Sequence, residues 1–211
     1  MEELDFMANN LKELTWEHHK SAERTEFTQI LLGGEISPEL YHKYLCSQLI
    51  CYTALEEAVT LPEEYQSVFR QTGLEEDIAE LESIYGIEPW DDPLTAVVEY
   101  VDHIGYLAKN NDNDGLLAHL YVRHFGDMSG GQIIRTKVPG DGTFYDFEDI
   151  DALKSGIRGL LHNEMAVEAG ICFQYAEQMF GELLDTTPYY FNTEYAMSEG
   201  LPYEPADGEE E

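Results

Sequence analysis

Apolar residues recur along this chain at the three- and four-residue spacing of amphipathic helices, and this period constrains the fold more than any other feature. The dipeptides Ser37-Pro38 and Asp92-Pro93 each combine a side chain that can cap a helix with a proline suited to the first turn. They predict one helix from Pro38 to about Val59 and another from Pro93 to about Lys109. No alternating apolar and polar run of useful length predicts a β-strand. The expected fold class is all-α.

The remaining helices are predicted from the same period and from turn residues between them. They are expected over residues 4–28, as one or two helices over 63–85 with closure at Gly86, from about 116 to before Pro139, and over 149–184 with a break near 156–163. Residues 1–184 are therefore predicted to form a single domain. Residues 185–211 carry no helical period and end in a run of acidic residues, so we expect an acidic, flexible tail there.

The charge of the chain bears on its partners and its compartment. The net charge is −32, from 43 acidic and 11 basic residues, which disfavours binding to nucleic acid or to anionic membranes. No run of apolar residues is long enough to span a bilayer, and the first residues are acidic, unlike a secretory signal. These features predict a cytoplasmic protein or one of a similar soluble compartment, such as a plastid stroma. Eight basic residues fall in three short segments that could form a local anion site: Lys12–Arg24, Arg123–Lys137 and Lys154–Arg158.

A stripe of side chains on the first predicted helix could hold a metal. Lys12, Trp16, His19, Glu23 and Phe27 are spaced three and four residues apart and would share one face. A neutral His19 imidazole could ligate a metal while Glu23 accepts its second N–H. The neighbouring His18 would point about 100° away and could not share this role. The alternative is an ordinary histidine–glutamate pair without a ligand.

Glycines interrupt a later helical pattern at a considerable energetic cost. Gly126, Gly130 and Gly131 lie within six residues, and each costs about 1 kcal/mol relative to alanine inside a helix. They provide a bend and a backbone without Cβ atoms, which a flat group can approach closely. Asp127 places a carboxylate beside that surface. The alternative is a kinked helix packed tightly against its neighbour, which assigns no role to the aspartate.

These two segments resemble the motifs of a known enzyme family. His19-Lys20-Ser21-Ala22-Glu23 is similar to the H-x-x-A-E of heme oxygenases, and residues 126–132 are similar to their G-D-[LM]-S-G-G-Q distal helix. The similarity continues through residues 52–57 and 144–147 and covers about residues 8–184.

The resemblance implies a role for each matching residue. His19 would be the proximal iron ligand, Glu23 would orient it, and Asp127 would hold the water network that delivers protons to bound O₂. Gly126 and Gly130 would let the backbone contact the distal heme face, and Phe173 would pack against the ring. The water network would be supported by Tyr52, Tyr121 and Arg123. The heme propionates would be bound by Lys12, Tyr121, Lys154 and Arg158.

The implied activity is cleavage of heme b, which is both substrate and cofactor, to biliverdin IXα, CO and Fe²⁺ with O₂. Electrons would come from ferredoxin or another low-potential donor, and a biliverdin-using reductase could follow. A basic patch of Lys20, Arg24, Arg135 and Lys137 would receive the donor.

Two other functions are compatible with a helical chain of this kind. The first is a protein that sequesters or senses heme on the same scaffold without turnover, and Asp127 argues against it. The second is a non-heme di-iron oxidase, which needs two Glu-x-x-His pairs. The chain has one such pair, formed by Glu39 and His42.

Overall fold

Side chains cap several helices in the computed structural model, which describes residues 10–186. Ser37 Oγ accepts the N–H of Leu40 at 3.2 Å, and the Asp112 carboxylate accepts the N–H of Gly115 at 2.9 Å. Each bond satisfies an amide that has no partner within its helix. Gly86 closes another helix in the left-handed conformation, with φ of 66°.

The described residues form helices and connecting turns without a β-strand, so the predicted all-α class is confirmed. The α-helices are α1 Leu11–Leu14, α2 Trp16–Glu23, α3 Glu26–Gly33, α4 Pro38–Ala58, α5 Gln71–Tyr85, α6 Thr95–Lys109, α7 Asn113–Asp127, α8 Gly131–Ile134, α9 Ile150–Arg158 and α10 Ala166–Asp185. Short 3₁₀ segments lie at Glu63–Val68, Thr143–Tyr145 and Asn163–Met165. The predicted break near 156–163 separates α9 from α10.

The prediction of one helix over 4–28 is wrong for its described part, and residues 4–9 lie outside the described range. Thr15 interrupts the helix between α1 and α2, and its Oγ1 donates to the carbonyl of Leu11 at 2.8 Å. Thr25 is extended, with ψ of 147°, and begins α3. The predicted stripe is therefore limited to Trp16, His19 and Glu23 of α2, because Lys12 lies on α1 and Phe27 lies on α3.

Helix α6 begins two residues later than the proline signal predicts. The helix starts at Thr95, after an extended Leu94, and the Glu182 carboxylate accepts the N–H of Ala96 at 3.1 Å. This cap comes from α10, 86 residues away, so the local sequence could not reveal it.

Helix α4 lies at the centre of the domain and packs against α5, α6 and α7, while α10 packs against α2, α3, α6 and α7. Phe27 joins this core, with its ring centroid 5.2 Å from that of Tyr44 and 5.1 Å from that of Phe180. The core thereby holds α2 and α7, which carry the two motifs. In the described range no helix is long and apolar enough to cross a membrane. The predicted tail, 185–211, lies outside this range except for Asp185, which ends α10, and Thr186.

Candidate active site

His19 lies near the middle of α2 with one ring nitrogen turned towards the protein. Its Nδ1 is buried, has no hydrogen-bond partner and lies 3.5 Å from Glu23 Oε2. The ring stacks on Trp16 with centroids 5.5 Å apart, and its edge meets Phe173 of α10 at 6.1 Å. An Nδ1–H directed at Glu23 would leave the Nε2 lone pair free for a ligand bond. The side chain is 43% exposed, which leaves room for such a ligand.

The adjacent histidine contacts a different helix. His18 lies over Gly170 of α10, where a Cβ would come within 3.0 Å of its Nε2. Its ring stacks on Phe173 with centroids 6.3 Å apart. His18 therefore packs between α2 and α10, whereas the side chain of His19 is 43% exposed.

The glycines of the second motif have two different surroundings. A Cβ at Gly126 would meet nothing within 4 Å, and one at Gly130 would meet only the carbonyl of Gly126, at 3.6 Å. A Cβ at Gly131 would instead overlap the ring of Tyr145. Gly126 and Gly130 thus present open backbone, whereas tight packing explains Gly131. The prediction of an unbroken helix through this segment is wrong, because α7 ends at Asp127 and α8 begins at Gly131.

Asp127 ends α7 next to the open glycine surface. The buried Tyr52 of α4 donates its hydroxyl hydrogen to Asp127 Oδ2. Burial raises the pKa of Asp127 to about 6, against the opposing effects of the Tyr52 hydrogen bond and the charges of His124 and Arg123. Burial also raises the pKa of Tyr52, which keeps the phenol a donor. The pair can therefore hold or release a proton near neutral pH.

Arg123 supports this pair from the core. Its Nη1 donates to Gln48 Oε1 at 2.7 Å, and its guanidinium carbon lies 5.6 Å from the Tyr52 ring centroid. The same carbon lies 4.1 Å from the Tyr100 ring. Arg123 acts on Asp127 through its charge, and no hydrogen bond joins their side chains among the described contacts.

A buried histidine–glutamate pair contacts Tyr52, the hydrogen-bond donor to Asp127. The sequence motifs did not indicate this pair. His124 Nε2 lies 2.9 Å from Glu56 Oε1, and the His124 ring lies 4.8 Å from that of Tyr52. Glu56 also accepts the backbone N–H groups of Arg70 and Gln71. The partners are 68 residues apart, so no local spacing could have revealed them.

Helix α9 carries two basic side chains near the turn that joins α7 to α8. Lys154 Nζ donates to the carbonyl of Met128 at 3.0 Å and to Ser129 Oγ at 2.8 Å, so it caps the end of α7. Arg158 is exposed, with its guanidinium carbon 5.5 Å from the Phe125 ring. Tyr121 of α7 is half-buried, and its burial raises its pKa. Lys12 is exposed on α1.

The basic side chains of the middle segment, Arg123–Lys137, are engaged by other groups of the protein. Arg123 is buried against Gln48, Arg135 pairs with Asp146 at 3.1 Å, and Lys137 Nζ donates to the carbonyl of Leu32. Each of these three side chains thus already has a partner within the protein. Lys12, Lys154 and Arg158 are left as the candidates for an anionic ligand.

The fold and the site together define an all-helical protein with a ligand-ready imidazole, a backbone surface open to a flat ring, and a proton-holding carboxylate. The family model described as heme oxygenase matches residues 5–180. The chain belongs to the heme oxygenase family, and the resemblance of its two motifs is thereby confirmed.

Individual relatives and solved structures agree with this assignment. The chain is 31% identical to heme oxygenase 2 of Rattus norvegicus over 229 residues, which cover 94% of this chain and 71% of the relative. It is 30% identical to the heme oxygenase of Porphyra purpurea, with 84% of this chain and 86% of the relative covered. Heme oxygenase-1 of Synechocystis, solved in complex with heme, is similar with a TM-score of 0.75 at 25% identity, covering 92% of this chain and 98% of that one.

The di-iron alternative finds no support in the described structure. His42, from the single Glu-x-x-His pair, has its Nε2 3.1 Å from Glu82 Oε1 of α5. Family membership assigns the chain to the oxidoreductases that use heme instead.

Proposed function

We propose that this member of the heme oxygenase family opens heme to biliverdin IXα, CO and Fe²⁺, with O₂ and electrons from a partner. The observation that carries the proposal is the hydrogen bond of Tyr52 to Asp127 beside the open backbone of Gly126. A protein that only sequestered heme would gain nothing from a half-buried, proton-holding carboxylate at that surface, and its partial burial alone would cost stability.

The residues of α2 suit the proximal side of a heme. Bound heme would supply both the iron that activates O₂ and the ring that is oxidised. His19 would bind the iron through Nε2, with Glu23 setting the ring orientation and Phe173 supporting its edge. A neutral imidazole suits hydroxylation of the ring, since a thiolate would favour O–O cleavage.

The residues of α7 would handle the proton on the distal side. Gly126 and Gly130 let the backbone approach the ring without a side chain that could bind iron. Asp127, with a pKa of about 6, would hold water at this surface and pass protons to it. Tyr52 would fix the carboxylate, and the charge of Arg123 would favour its ionised form.

The heme propionates would bind Lys12, Tyr121, Lys154 and Arg158. Lys154 would have to share its ammonium between a propionate and the carbonyl of Met128, which it contacts in the present structure. Because these anchors determine how the ring is rotated, they would direct attack to the α-meso carbon.

Ferredoxin or another low-potential protein would supply the electrons at the basic patch of Lys20, Arg24, Arg135 and Lys137. Lys20 and Arg135 already pair with Glu17 at 2.7 Å and with Asp146 at 3.1 Å, which weakens the patch. Arg24 and Lys137 are exposed. We propose a soluble compartment, cytoplasmic or stroma-like, and a biliverdin reductase as the consumer of the product.

Turnover of the hemin complex with ferredoxin and its reductase tests the proposal. Hemin should give a sharp Soret band, and reduction in air should give biliverdin and CO. Asp127→Ala should keep the Soret band but lose biliverdin formation. A Soret band without biliverdin from the natural sequence would favour the sequestering alternative, and normal biliverdin from Asp127→Ala would remove the role of this carboxylate.

A further inference from the structure

Three side chains from three different helices meet away from the His19 and glycine-rich segments. His103 of α6 has its Nε2 2.5 Å from Glu168 Oε1 of α10, and His119 of α7 has its Nε2 2.9 Å from the same oxygen. The three candidate ligand atoms all lie within 4.8 Å of one another. The proposed heme chemistry uses none of these residues.

The cluster is only partly buried, so an ion could reach it. The side chain of His119 is 0% exposed, whereas His103 and Glu168 are each 21% exposed. The cluster therefore rests on a buried imidazole and opens to solvent on its other side. Solvent access would let an ion approach and would let water complete its coordination.

Two imidazoles and one carboxylate form a donor set that binds zinc and related divalent transition metals. With bonds of about 2.1 Å in a tetrahedral arrangement, two ligand atoms lie on the order of 3.4 Å apart. The two imidazole nitrogens, which lie within 4.8 Å of each other, would have to approach by up to about 1.4 Å, and the Glu168 oxygen would have to withdraw from each nitrogen by under about 1 Å. A partly exposed glutamate side chain can make this movement by rotating its terminal torsions.

The protonation of the cluster is compatible with metal binding. Glu168 accepts the Nε2–H of His119, whereas Nδ1 of His119 has no hydrogen-bond partner and could carry the ring proton once a cation binds Nε2. A cation would replace the hydrogens that Glu168 now accepts.

The charges around the cluster also favour a cation on its open side. Glu99 and Asp102 of α6 are exposed and act electrostatically on Tyr175, whose ring lies 5.6 Å from that of His103. Arg123 opposes them, but its guanidinium is held by Gln48 on the buried side of α7. The net charge of −32 adds a general attraction for cations.

We propose that His103, His119 and Glu168 form a binding site for a divalent transition-metal ion of the zinc type. The ion would join α6, α7 and α10 and would be separate from the iron of the heme.

Zinc titration of the full-length, untagged protein loaded with hemin tests this site, because in the proposed function hemin would occupy His19. Calorimetry should show one saturable equivalent of Zn²⁺, and the Tm should rise with zinc concentration because the ion binds the folded state. Anomalous diffraction from zinc-soaked crystals should place the ion between the three side chains.

Variants at the two partly exposed ligands keep the test independent of folding. His103→Gln and Glu168→Gln should each weaken zinc binding by at least about tenfold, since even outer partners of a metal site contribute this much. His162→Gln is the matched control, because His162 also lies among carboxylates, with Nε2 3.1 Å from Asp114 Oδ2 and Nδ1 3.9 Å from Glu164 Oε2. It should leave zinc binding unchanged.

Three results would overturn the proposal. The first is no saturable binding to the natural sequence, which would leave the cluster as a hydrogen-bonded link between helices. The second is unchanged binding after either ligand substitution. The third is an equal loss in His162→Gln, which would indicate binding by the acidic surface in general.

Discussion

At the scale of single residues, two adjacent histidines have different surroundings, although the sequence presents them side by side. His18 fills the contact over Gly170, whereas His19 keeps one ring edge open and has Glu23 behind it. Position along the chain cannot distinguish them. The 3.6-residue period of the helix and the packing of α10 do so.

His19→Ala is expected to abolish biliverdin formation, because the iron would lose its only protein ligand in the proposed site. His18→Gln should retain most of the turnover, since glutamine keeps a polar side chain in the contact between α2 and α10. Biliverdin formation with ferredoxin and its reductase measures both variants. An equal loss in the two, or loss in His18→Gln alone, would contradict the assignment.

Asp127→Asn is expected to raise the stability of the heme-free protein, and the gain should grow with pH. The folded-state pKa of Asp127 is about 6, above its ordinary value, so the folded state binds the extra proton between the two. The stability of the natural protein should therefore fall, relative to the variant, as pH rises through about 6.

Thermal unfolding between about pH 4 and about pH 7 checks this expectation, since the difference should grow up to about pH 6 and stay constant above it. Asp92→Asn, at an exposed aspartate in the loop before α6, removes the same charge and should show no such growing difference. A constant offset between Asp127→Asn and the natural protein would mean that burial does not shift this carboxyl group.

At the scale of the element, the distal segment combines a packed glycine with two open ones. Tyr145 packs where Gly131 lacks a side chain, so this glycine lets α8 approach the Thr143–Tyr145 turn. Gly126 and Gly130 leave a bare backbone surface instead. The same residue type therefore serves folding at one position and, in the proposed function, ligand access at the others.

Gly131→Ala and Gly126→Ala should consequently have opposite effects. Gly131→Ala should destabilise the heme-free protein by about 1–3 kcal/mol, because the new methyl group overlaps Tyr145. Gly126→Ala should stabilise it by up to roughly 1 kcal/mol, because alanine favours the helix, while weakening hemin binding through its Cβ. Chemical unfolding and hemin titration separate the two. Tighter or unchanged hemin binding in Gly126→Ala would show that the ring does not lie on this surface.

At the scale of the whole molecule, the net charge of −32 opposes the local basic patch. An acidic ferredoxin would be repelled at long range and attracted at short range. Salt screens charges with a Debye length of about 10 Å at 0.1 M, so it weakens both terms. Modest salt should raise turnover by relieving the repulsion, and high salt should lower it by weakening the docking.

The dependence of turnover on ionic strength is therefore expected to be bell-shaped. Arg24→Glu should raise the KM for the donor without changing the heme spectrum, because Arg24 is exposed within the patch. Lys109→Glu, an equal charge reversal at the exposed end of α6, is the control and should have a smaller effect. A steady fall from the lowest salt would mean that attraction dominates throughout. A rise without a maximum would mean that the patch has no role.

Local signals in the sequence predicted the helical class, the start of α4 at Pro38, the end of α5 at Gly86 and the two motifs of the family. Each of these depends on residues within a few positions of one another. Backbone hydrogen bonds, caps and helix faces repeat over three or four residues, so their pattern is legible in one chain.

Only the tertiary structure decided which distant side chains share a site. It joined Tyr52 to Asp127 across 75 residues, capped α6 with Glu182 of α10, used Lys154 to cap α7, and brought His103 and His119 to Glu168. It also divided the first predicted helix at Thr15 and distinguished Gly131 from Gly126. These outcomes depend on the packing of α4, α6, α7 and α10 around one core. A contact between helices depends on how the whole chain fills space, and no local period encodes that arrangement.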